Sequence, residues 1–379
     1  MDETRPLRRG WTTGTCATAA AKAAFAALVG GDFPDPVTVT LPGGQTPAFA
    51  LARHDIGEDW ARAGIVKDAG DDPDVTHGAL IVATVRPGVP GGGVAFRAGE
   101  GVGTVTRPGL PMPPGEPAIN PVPRRMIAQA IAEVCADTGA SGDVDVEISI
   151  PGGETLAERT LNGRLGIVGG LSILGTTGIV VPYSCAAWIA SIHRGIDVAR
   201  ATGRDHVAGA TGSASEAAIA RMHGLPDEAL LDMGDFVGGT LKYLRTHPVP
   251  KVTIAGGIAK MTKLAQGFLD LHSKRGRVDL DALADVAVAE GGSDALRARI
   301  VAANTTPEAF AAAAEEGIPL GDVVAGAAWR TAADVIAGTG MALEIAVFDR
   351  DGNLAGHAPF APVGDAAHDA SGSRPRKRR

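Results

Sequence analysis

The sequence is poor in cysteine, in aromatic residues and in long apolar runs. Its three cysteines, Cys16, Cys135 and Cys185, have no metal-ligand spacing, which predicts free thiols in a reducing compartment. Aromatic residues make up only 4% of the chain, so we expect a core of alanine, valine, leucine and isoleucine. The apolar runs are too short to cross a membrane, and the N-terminus lacks the layout of a signal peptide. We therefore expect a cytoplasmic protein.

The chain also lacks an excess of positive charge. Its 35 lysines and arginines are outnumbered by 43 acidic residues, which gives a formal net charge of −8. This balance argues against a nucleic-acid partner and requires local groups of cations wherever an anion binds. No metal-binding motif is found, and a homo-oligomer stays open. At 379 residues and 45% hydrophobic, the chain is long enough for two domains with sizeable cores.

The most unusual segment is the glycine-rich segment, residues 163–182. It is too apolar for a solvent loop and too rich in glycine for an ordinary strand or helix. Glycine permits positive φ and close approach of the backbone to a ligand, but the strict G-x-G-x-x-G spacing of a dinucleotide site is absent. A kinked core hairpin and a cofactor-binding segment both stay open. For the second interpretation, the candidate cofactor-binding residues are Gly170, Ser172, Gly175, Thr176 and Thr177.

Two segments of the first half are candidates for binding an anion. A Thr-Thr-Gly-Thr turn at 12–15 leads into an alanine-rich helix, whose first amides suit a carboxylate or phosphate. A loop rich in proline and glycine, residues 99–123, brings Arg124 and Arg125 to the start of a helix predicted over Met126–Thr138. A capped structural helix and exposed arginines are the plainer alternatives. The substrate-binding candidates of this half are Arg9, Thr12, Thr13, Thr15, Lys22, Asn120 and Arg124.

The second half repeats a unit in which a short apolar run ends in glycine or aspartate and leads into a helix. This alternation predicts a parallel sheet with its ligand over the carboxyl ends of the strands. Those ends carry Thr211-Gly212, Asp232–Asp235 and Gly256-Gly257. Asp232 and Asp235 are candidates for ribose hydroxyls, although a helix cap is an equal alternative for one of them. Lys260 is a further substrate-binding candidate.

The pattern as a whole predicts two domains and a tail. An α+β N-terminal domain is expected over residues 1–160, because predicted strands there outnumber helices. An α/β doubly wound (Rossmann-like) C-terminal domain is expected over residues 161–355. Residues 356–379, which end in a basic run, are expected to be a disordered, solvated tail.

Several segments together resemble one known family. They occur in that family's order and span roughly residues 7–275: Gly10–Lys22, Gly99–Thr106, Gly115–Arg124, Gly166–Ile179, Gly256–Lys260 and Leu271–Ser273. In combination they are similar to the cobalt-precorrin-5B C1-methyltransferases of cobalamin biosynthesis. The chain departs from the family's usual residues at Ala259, where glycine is usual, and at Leu271, where threonine is usual.

The resemblance implies transfer of a methyl group from S-adenosylmethionine to C1 of a cobalt-containing corrin precursor, giving cobalt-precorrin-6A. The cobalt belongs to the substrate. The tetrapyrrole-carboxylate site is expected in the first domain and the S-adenosylmethionine site in the second. Glu100 and His272 are candidates for removing the proton lost after attack. A nucleotide-dependent corrinoid oxidoreductase and a non-catalytic tetrapyrrole-binding protein are the alternatives, and cofactor binding separates them from a methyltransferase.

Overall fold

The computed structural model describes residues 6–364 and has a mixed α/β fold with several sheets. The described residues up to Ala187 form one compact unit, and those from Trp188 onward form a second. Each unit is described by itself. Within residues 6–364, every helix is too short or too polar to cross a membrane.

The first unit is built on a mixed five-stranded sheet in the order β4-β5-β6-β9-β7, in which only β7 and β9 pair in parallel. Helix α1 packs against α2 and against β5 and β6. Its many alanines are fully buried, which allows this close packing. The elements are β1 (Gly10–Trp11), α1 (Thr13–Gly30), β2 (Val37–Thr38), β3 (Ala48–Phe49), β4 (Arg53–Ile56), β5 (Ala61–Val66), β6 (Leu80–Pro87), β7 (Val94–Ala98), β8 (Thr104–Val105), α2 (Pro121–Thr138), β9 (Val144–Ser149), α3 (Gly153–Ala157), β10 (Ile167–Val168) and β11 (Ile179–Val180).

Helix α2 begins five residues earlier than predicted. The sequence predicts that Pro121 and Pro123 belong to the preceding loop, but both prolines lie in the first turn of the helix. Proline is well suited there because a first-turn N–H has no partner inside the helix. Asn120 occupies the N-cap position. The predicted start at Met126 is therefore wrong, and Arg124 lies inside the helix.

The glycine-rich segment belongs to the first unit, which differs from the expected boundary at 160/161. Its strand β10 pairs with β8, and its strand β11 pairs with β1. A Cβ added to Gly170 would lie 2.2 Å from the carbonyl oxygen of Gly101, and one on Gly175 would lie 2.3 Å from Oγ1 of Thr12. These glycines are therefore explained by close packing within the unit, without a ligand.

The second unit contains a five-stranded sheet in the order β13-β12-β14-β15-β16, in which the first four strands are parallel and β16 is antiparallel. Numbered by appearance within the unit, this order is 2-1-3-4-5. Helix α4 (Cys185–Ala201) runs into this unit from the first. The other elements are β12 (His206–Ala210), α5 (Ser213–His223), β13 (Leu230–Asp232), α6 (Val237–Thr246), β14 (Lys251–Gly257), α7 (Ile258–Ala265), α8 (Leu280–Ala289), α9 (Asp294–Val301), α10 (Thr306–Glu315), α11 (Leu320–Val335), β15 (Ala342–Phe348) and β16 (Leu354–Pro362).

The two faces of this sheet carry side chains of different size. One face presents Val252, Ile254 and Ile345 to the large core formed with α6, α7 and α11. The opposite face presents mainly alanines, including Ala208 and Ala255, and α5 packs there. Small side chains let α5 approach the sheet closely, so α5 and α7 cover opposite faces.

Strand β16 corrects the expected start of the tail. Residues 354–362 pair with β15, whereas the sequence analysis begins the disordered tail at 356. The tail was extended too far because the Gly- and Pro-containing run from Leu354 does not have the regular pattern of a strand. The basic end at 371–379 lies outside the described residues.

Two glycines of α11 give a test of the packing between this helix and β16. A Cβ at Gly321 would lie 1.7 Å from the carbonyl oxygen of Ala355, whereas the nearest atom to a Cβ at Gly326 is 3.8 Å away on Arg330. We expect Gly321→Ala to destabilise the protein by roughly 2 kcal/mol or more, since backbone must move. Gly326→Ala in the same helix should stabilise it by roughly 0.5–1 kcal/mol. Urea unfolding of both variants measures the difference, and equal effects would contradict this packing.

Candidate functional site

A cleft of about 1380 Å³ lies over the carboxyl edge of the second unit's sheet. Two neighbouring strands end there. After β12 the chain continues into α5 on one face of the sheet, and after β14 it continues into α7 on the other face. Open α/β sheets bind their ligands at this switch point, because diverging connections leave a crevice there. The polar residues that line the cleft include Thr211, Ser213, Ser215, Lys260, Lys263, Ser273, Lys274, Arg277, Asn304, Thr306, Asp349 and Arg350.

Two glycines leave the floor of the cleft open. Gly212 is the N-cap of α5, and Gly257 is the N-cap of α7. A Cβ built on either residue meets no atom of residues 6–364 within 4 Å. Neither N-cap residue caps its helix with a side chain, so first-turn amides of both helices are left for a ligand. An anionic group is the ligand that such helix ends favour.

The charges around the cleft are mainly positive. Lys274, Arg277 and Arg350 are exposed at its rim, while Lys263 is buried and donates from Nζ to the carbonyl of Leu271 at 3.0 Å. Asp349 and Asp351 are the opposing charges, and a hydrogen bond from Asn353 lowers the pKa of the Asp349 carboxyl group. The cleft therefore suits a ligand that carries carboxylates.

Asp235, at the loop after β13, offers an unused acceptor. Its Oδ1 is buried and accepts no hydrogen bond from any residue between 6 and 364. The Nζ of Lys260 lies 3.1 Å from this oxygen as an ion pair, but it is poorly aligned and instead donates to the carbonyl of Thr211 at 2.6 Å. A hydroxyl donor on a ligand would satisfy Oδ1.

The other aspartate predicted on this edge, Asp232, ends β13 and is half-buried. Its carbonyl accepts a hydrogen bond of 2.9 Å from the indole of Trp188. Asp232 and Asp235 lie in the second unit, whereas the glycine-rich segment lies in the first. The predicted set of cofactor-binding residues is therefore divided between the two units.

The threonine turn at the start of α1 is not the open anion site that the sequence suggested. Thr12 is the N-cap and accepts a hydrogen bond from the amide of Thr15. The Thr13 hydroxyl accepts from the amide of Leu174 at 2.9 Å, and the Thr15 hydroxyl donates to the carbonyl of Gly178 at 2.7 Å. The amide of Gly14 donates to the carbonyl of Leu174 at 2.8 Å, so the amides of Gly14 and Thr15 both have partners within the first unit and are not free for an anion.

Other predicted residues of the first unit also have structural partners. Lys22 joins α1 to α2 through a 2.6 Å ion pair with Glu133. Asn120 donates from Nδ2 to the carbonyl of Ile173 at 3.3 Å. Arg9, in contrast, is exposed and has no hydrogen bond or ion pair from its side chain to the part of the chain that the structure describes.

The predicted hydroxyls of the glycine-rich segment and the two candidate bases differ in their burial and contacts. Ser172 is buried and donates to Oδ1 of Asn162 at 3.1 Å, whereas Thr176 and Thr177 are exposed. Glu100 is an exposed residue of the first unit. His272 belongs to the second unit, where its Nδ1 accepts from the amide of Lys274 and its neighbour Ser273 lines the cleft.

The two adjacent arginines at the start of α2 differ in their contacts. Arg124 donates to the carbonyls of Ile119 and Pro117 at 2.8 and 3.1 Å and pairs with Glu116 at 3.0 Å. Arg125 is exposed, and its side chain has no hydrogen bond or ion pair within residues 6–364. Arg124 thus holds the preceding loop against the helix, and Arg125 is the arginine available to a ligand.

We therefore expect Arg124→Ala to lower the free energy of unfolding by about 2 kcal/mol, since it leaves buried carbonyls without a charged donor. Arg125→Ala should change it by less than about 0.5 kcal/mol, because an exposed side chain is removed. Chemical denaturation followed by circular dichroism measures both values. Equal stabilities of the two variants would show that Arg124 has no structural role.

Sequence reasoning missed the cations at the rim of the cleft. Lys274, Arg277 and Arg350 are far from β12 in the chain and are not part of a local motif. Only the return of β15 to the side of β14 brings Arg350 to the same edge. In contrast, the predicted position of Gly212 and Gly257 at strand ends is confirmed, and both residues line the cleft.

Comparison with known proteins gives one consistent result. The family model described as CbiD matches residues 1–182, and that of the CbiD C-terminal domain matches residues 270–359. The chain is 62% identical over 98% of its length to a cobalt-precorrin-5B C(1)-methyltransferase of Agrobacterium fabrum, which is itself 98% covered. It is 63% identical over 93% of its length to the protein of that name from Methylorubrum extorquens, again with 98% of the relative covered.

A solved structure is also similar. It is the crystal structure of the cobalamin biosynthesis protein cbiD from Archaeoglobus fulgidus, which is 28% identical to this chain. The similarity covers 66% of this chain and 77% of that one, with a TM-score of 0.38.

Proposed function

The chain belongs to the CbiD family, and from this membership we propose that it methylates C1 of cobalt-precorrin-5B to give cobalt-precorrin-6A in cobalamin biosynthesis. The observation that carries the proposal is the 62% identity over 98% of both chains to a relative with that activity in its name. The match extends over both units.

We further propose that S-adenosylmethionine is the methyl donor and that the second unit is a Rossmann-like domain that binds it. Three features of the cleft and of its surroundings fit this molecule. The first-turn amides of α5 and α7 suit its carboxylate, and the open space over Gly212 and Gly257 leaves room beside them. The buried Oδ1 of Asp235, which lies 3.1 Å from the Nζ of cleft residue Lys260, suits a ribose hydroxyl.

The exposed cations at the rim are proposed to bind the substrate. A precorrin carries several carboxylate side chains, and Lys274, Arg277 and Arg350 present positive charge beside the cleft. In the first unit, Arg9 and Arg125 are the candidates whose side chains are free for the same purpose. Arginine suits carboxylates because its planar group donates two parallel hydrogen bonds.

The proposed methyl transfer requires few side chains that take part in the reaction itself. S-adenosylmethionine supplies a methyl group on a positively charged sulfur, and transfer to carbon is an in-line displacement. The protein has to hold both reactants in contact at the correct angle and to exclude water, which can provide much of the rate. His272, next to cleft residue Ser273, and Glu100 stay the candidates for accepting the proton that C1 chemistry releases.

A turnover assay tests the proposed reaction. The purified protein is incubated with cobalt-precorrin-5B and S-adenosylmethionine, and the product is analysed by mass spectrometry for the gain of one methyl group. We expect methylation that requires both reactants and is unaffected by NADH. Tetrapyrrole binding without methyl transfer would favour the carrier alternative, and a change of the corrinoid that depends on NADH would favour the oxidoreductase.

A further inference from the structure

A cluster of imidazoles surrounds a buried carboxylate at the edge of the second unit's sheet opposite the cleft. Glu344, the third residue of β15, is only 1% exposed. His206 begins β12, His223 ends α5, and His357 lies on β16. These residues meet on the face of the sheet that is otherwise covered by alanines and α5. The proposed methyl transfer uses none of them.

Hydrogen bonds connect the cluster. Oε2 of Glu344 accepts from Oγ1 of Thr253 at 2.6 Å and lies 2.7 Å from Nε2 of His223. Oε1 lies 2.9 Å from Nε2 of His357. Nε2 of His206 lies 2.8 Å from Oγ1 of Thr253. Because an ionised carboxylate only accepts, His223 and His357 donate to it, and His206 donates to the hydroxyl.

The cluster has the composition of a metal site. One ring nitrogen of His206, one ring nitrogen of His223 and one carboxylate oxygen of Glu344 all lie within 4.8 Å of one another. Two imidazoles and one carboxylate are a common protein ligand set for zinc, with a fourth position left for water or another group. A buried glutamate on a face of alanines needs polar partners, since buried charge is costly, and the imidazoles that surround Glu344 are also metal-binding groups.

We propose that His206, His223 and Glu344 form a binding site for a divalent transition-metal ion, for which zinc is the best-suited cation. Each histidine presents Nε2 to the centre and becomes a ligand by moving its proton to Nδ1, so no net proton has to leave the imidazoles. Thr253 and His357 then stay hydrogen-bonded to the carboxylate and orient it. The ligand atoms need to move by about 1 Å to reach the usual zinc distances.

An aromatic ring packs against two of the proposed ligands. The ring of Phe360 contacts both His206 and His223, with ring centroids 5.1 and 5.7 Å away. These contacts restrict the orientations of the two imidazoles, as supporting groups around a metal site do.

The metal site is separate from the cleft. Helix α5 has 11 residues, with Gly212 preceding its first turn and His223 in its last turn. At about 1.5 Å per residue, the two ends are roughly 16 Å apart. A bound ion would join β12, β15 and α5 at the edge of the sheet away from the methyl donor, so metal binding and methyl transfer can fail independently.

Isothermal titration calorimetry with zinc sulfate tests the site on the full-length protein after treatment with a chelator. We expect wild-type protein to bind one equivalent of zinc, with at least a tenfold loss of affinity in His206→Gln and in His223→Gln. The matched control is His54→Gln, which changes an exposed histidine of the first unit and should bind as wild type does. No binding by wild-type protein, or equal affinity in all variants, would overturn the proposal.

A second measurement uses only wild-type protein, so its result does not depend on whether the variants fold. The zinc K-edge X-ray absorption spectrum of the zinc-loaded wild-type protein reports its ligands directly. We expect two imidazoles and oxygen ligands. A sulfur ligand, or fewer than two imidazoles, would show that zinc binds elsewhere and would overturn the site.

Discussion

Replacing Gly257 by leucine is expected to lower the affinity for S-adenosylmethionine at least a hundredfold, which corresponds to about 2.7 kcal/mol. Gly257 lies at the end of β14, where a doubly wound sheet brings its ligand closest to the backbone. A side chain there meets no atom of the described residues within 4 Å, so leucine would project into the cleft. Calorimetric titration of the variant measures the loss.

The fold should tolerate this change. The backbone of Gly257 has φ −70° and ψ 154°, which any residue adopts, so only the poorer N-cap preference of leucine reduces stability, by about 1 kcal/mol. Gly163→Leu is the control, because this glycine is exposed in the first unit and also has no neighbour within 4 Å of an added Cβ. Affinity that is unchanged in Gly257→Leu would place the methyl donor outside the cleft.

Removing the ammonium group of Lys67 is expected to destabilise the protein by about 3 kcal/mol. Lys67 is 1% exposed, and its Nζ donates to Oδ2 of Asp74 at 2.6 Å. Loss of the ammonium group leaves the Asp74 carboxylate, which is 25% exposed, with hydrogen bonds from Thr76 but without its countercharge. Removing one partner of a buried ion pair costs far more than the pair itself gains. Urea unfolding of Lys67→Met gives the value.

An exposed pair supplies the matched control. Arg97 and Asp145 are 2.7 Å apart, but the Arg97 side chain is 62% exposed, so Arg97→Met should cost less than about 1 kcal/mol. Equal costs for Lys67→Met and Arg97→Met would show that burial of Lys67 has no energetic consequence.

The ion pair of Lys67 and Asp74 also makes the stability of the protein depend on pH. Burial acts to raise the pKa of Asp74, but the charge of Lys67 and hydrogen bonds from Lys67 and Thr76 outweigh it and leave the pKa below its usual value. A carboxyl group with a lowered folded pKa stabilises the protein above its unfolded pKa, near 3.9, and this stability disappears as the pH falls through the folded value. In Lys67→Met this acid-dependent loss should become smaller.

Local patterns predicted the elements of the second unit well. The apolar runs that end in glycine or aspartate are strands, the helices follow them, and Gly212 and Gly257 line the cleft at the carboxyl edge of the sheet. These features depend on short stretches of sequence and on the rule for ligands in parallel sheets. The family was also identified from ordered motifs, since their combination is far more specific than any one of them.

Contacts between residues that are distant in the chain determine the features that local sequence patterns did not predict. The first amides of α1 suit an anion in the sequence, but in the fold the amide of Gly14 donates to Leu174 of the glycine-rich segment and that of Thr15 donates to Thr12. Arg124 and Arg125 are equivalent in sequence, and only the path of the preceding loop decides which of them is bound to the backbone. The His–Glu cluster is invisible in the sequence because its members are separated by up to 138 positions, from His206 to Glu344.

The crystal structure of the protein with S-adenosylhomocysteine would test the central claim most directly. The account predicts electron density over the carboxyl edge of the second unit's sheet, with the carboxylate at the first turn of α5 or α7 and a ribose hydroxyl within hydrogen-bond distance of Asp235. Density against the glycine-rich segment of the first unit, with an empty cleft, would contradict it.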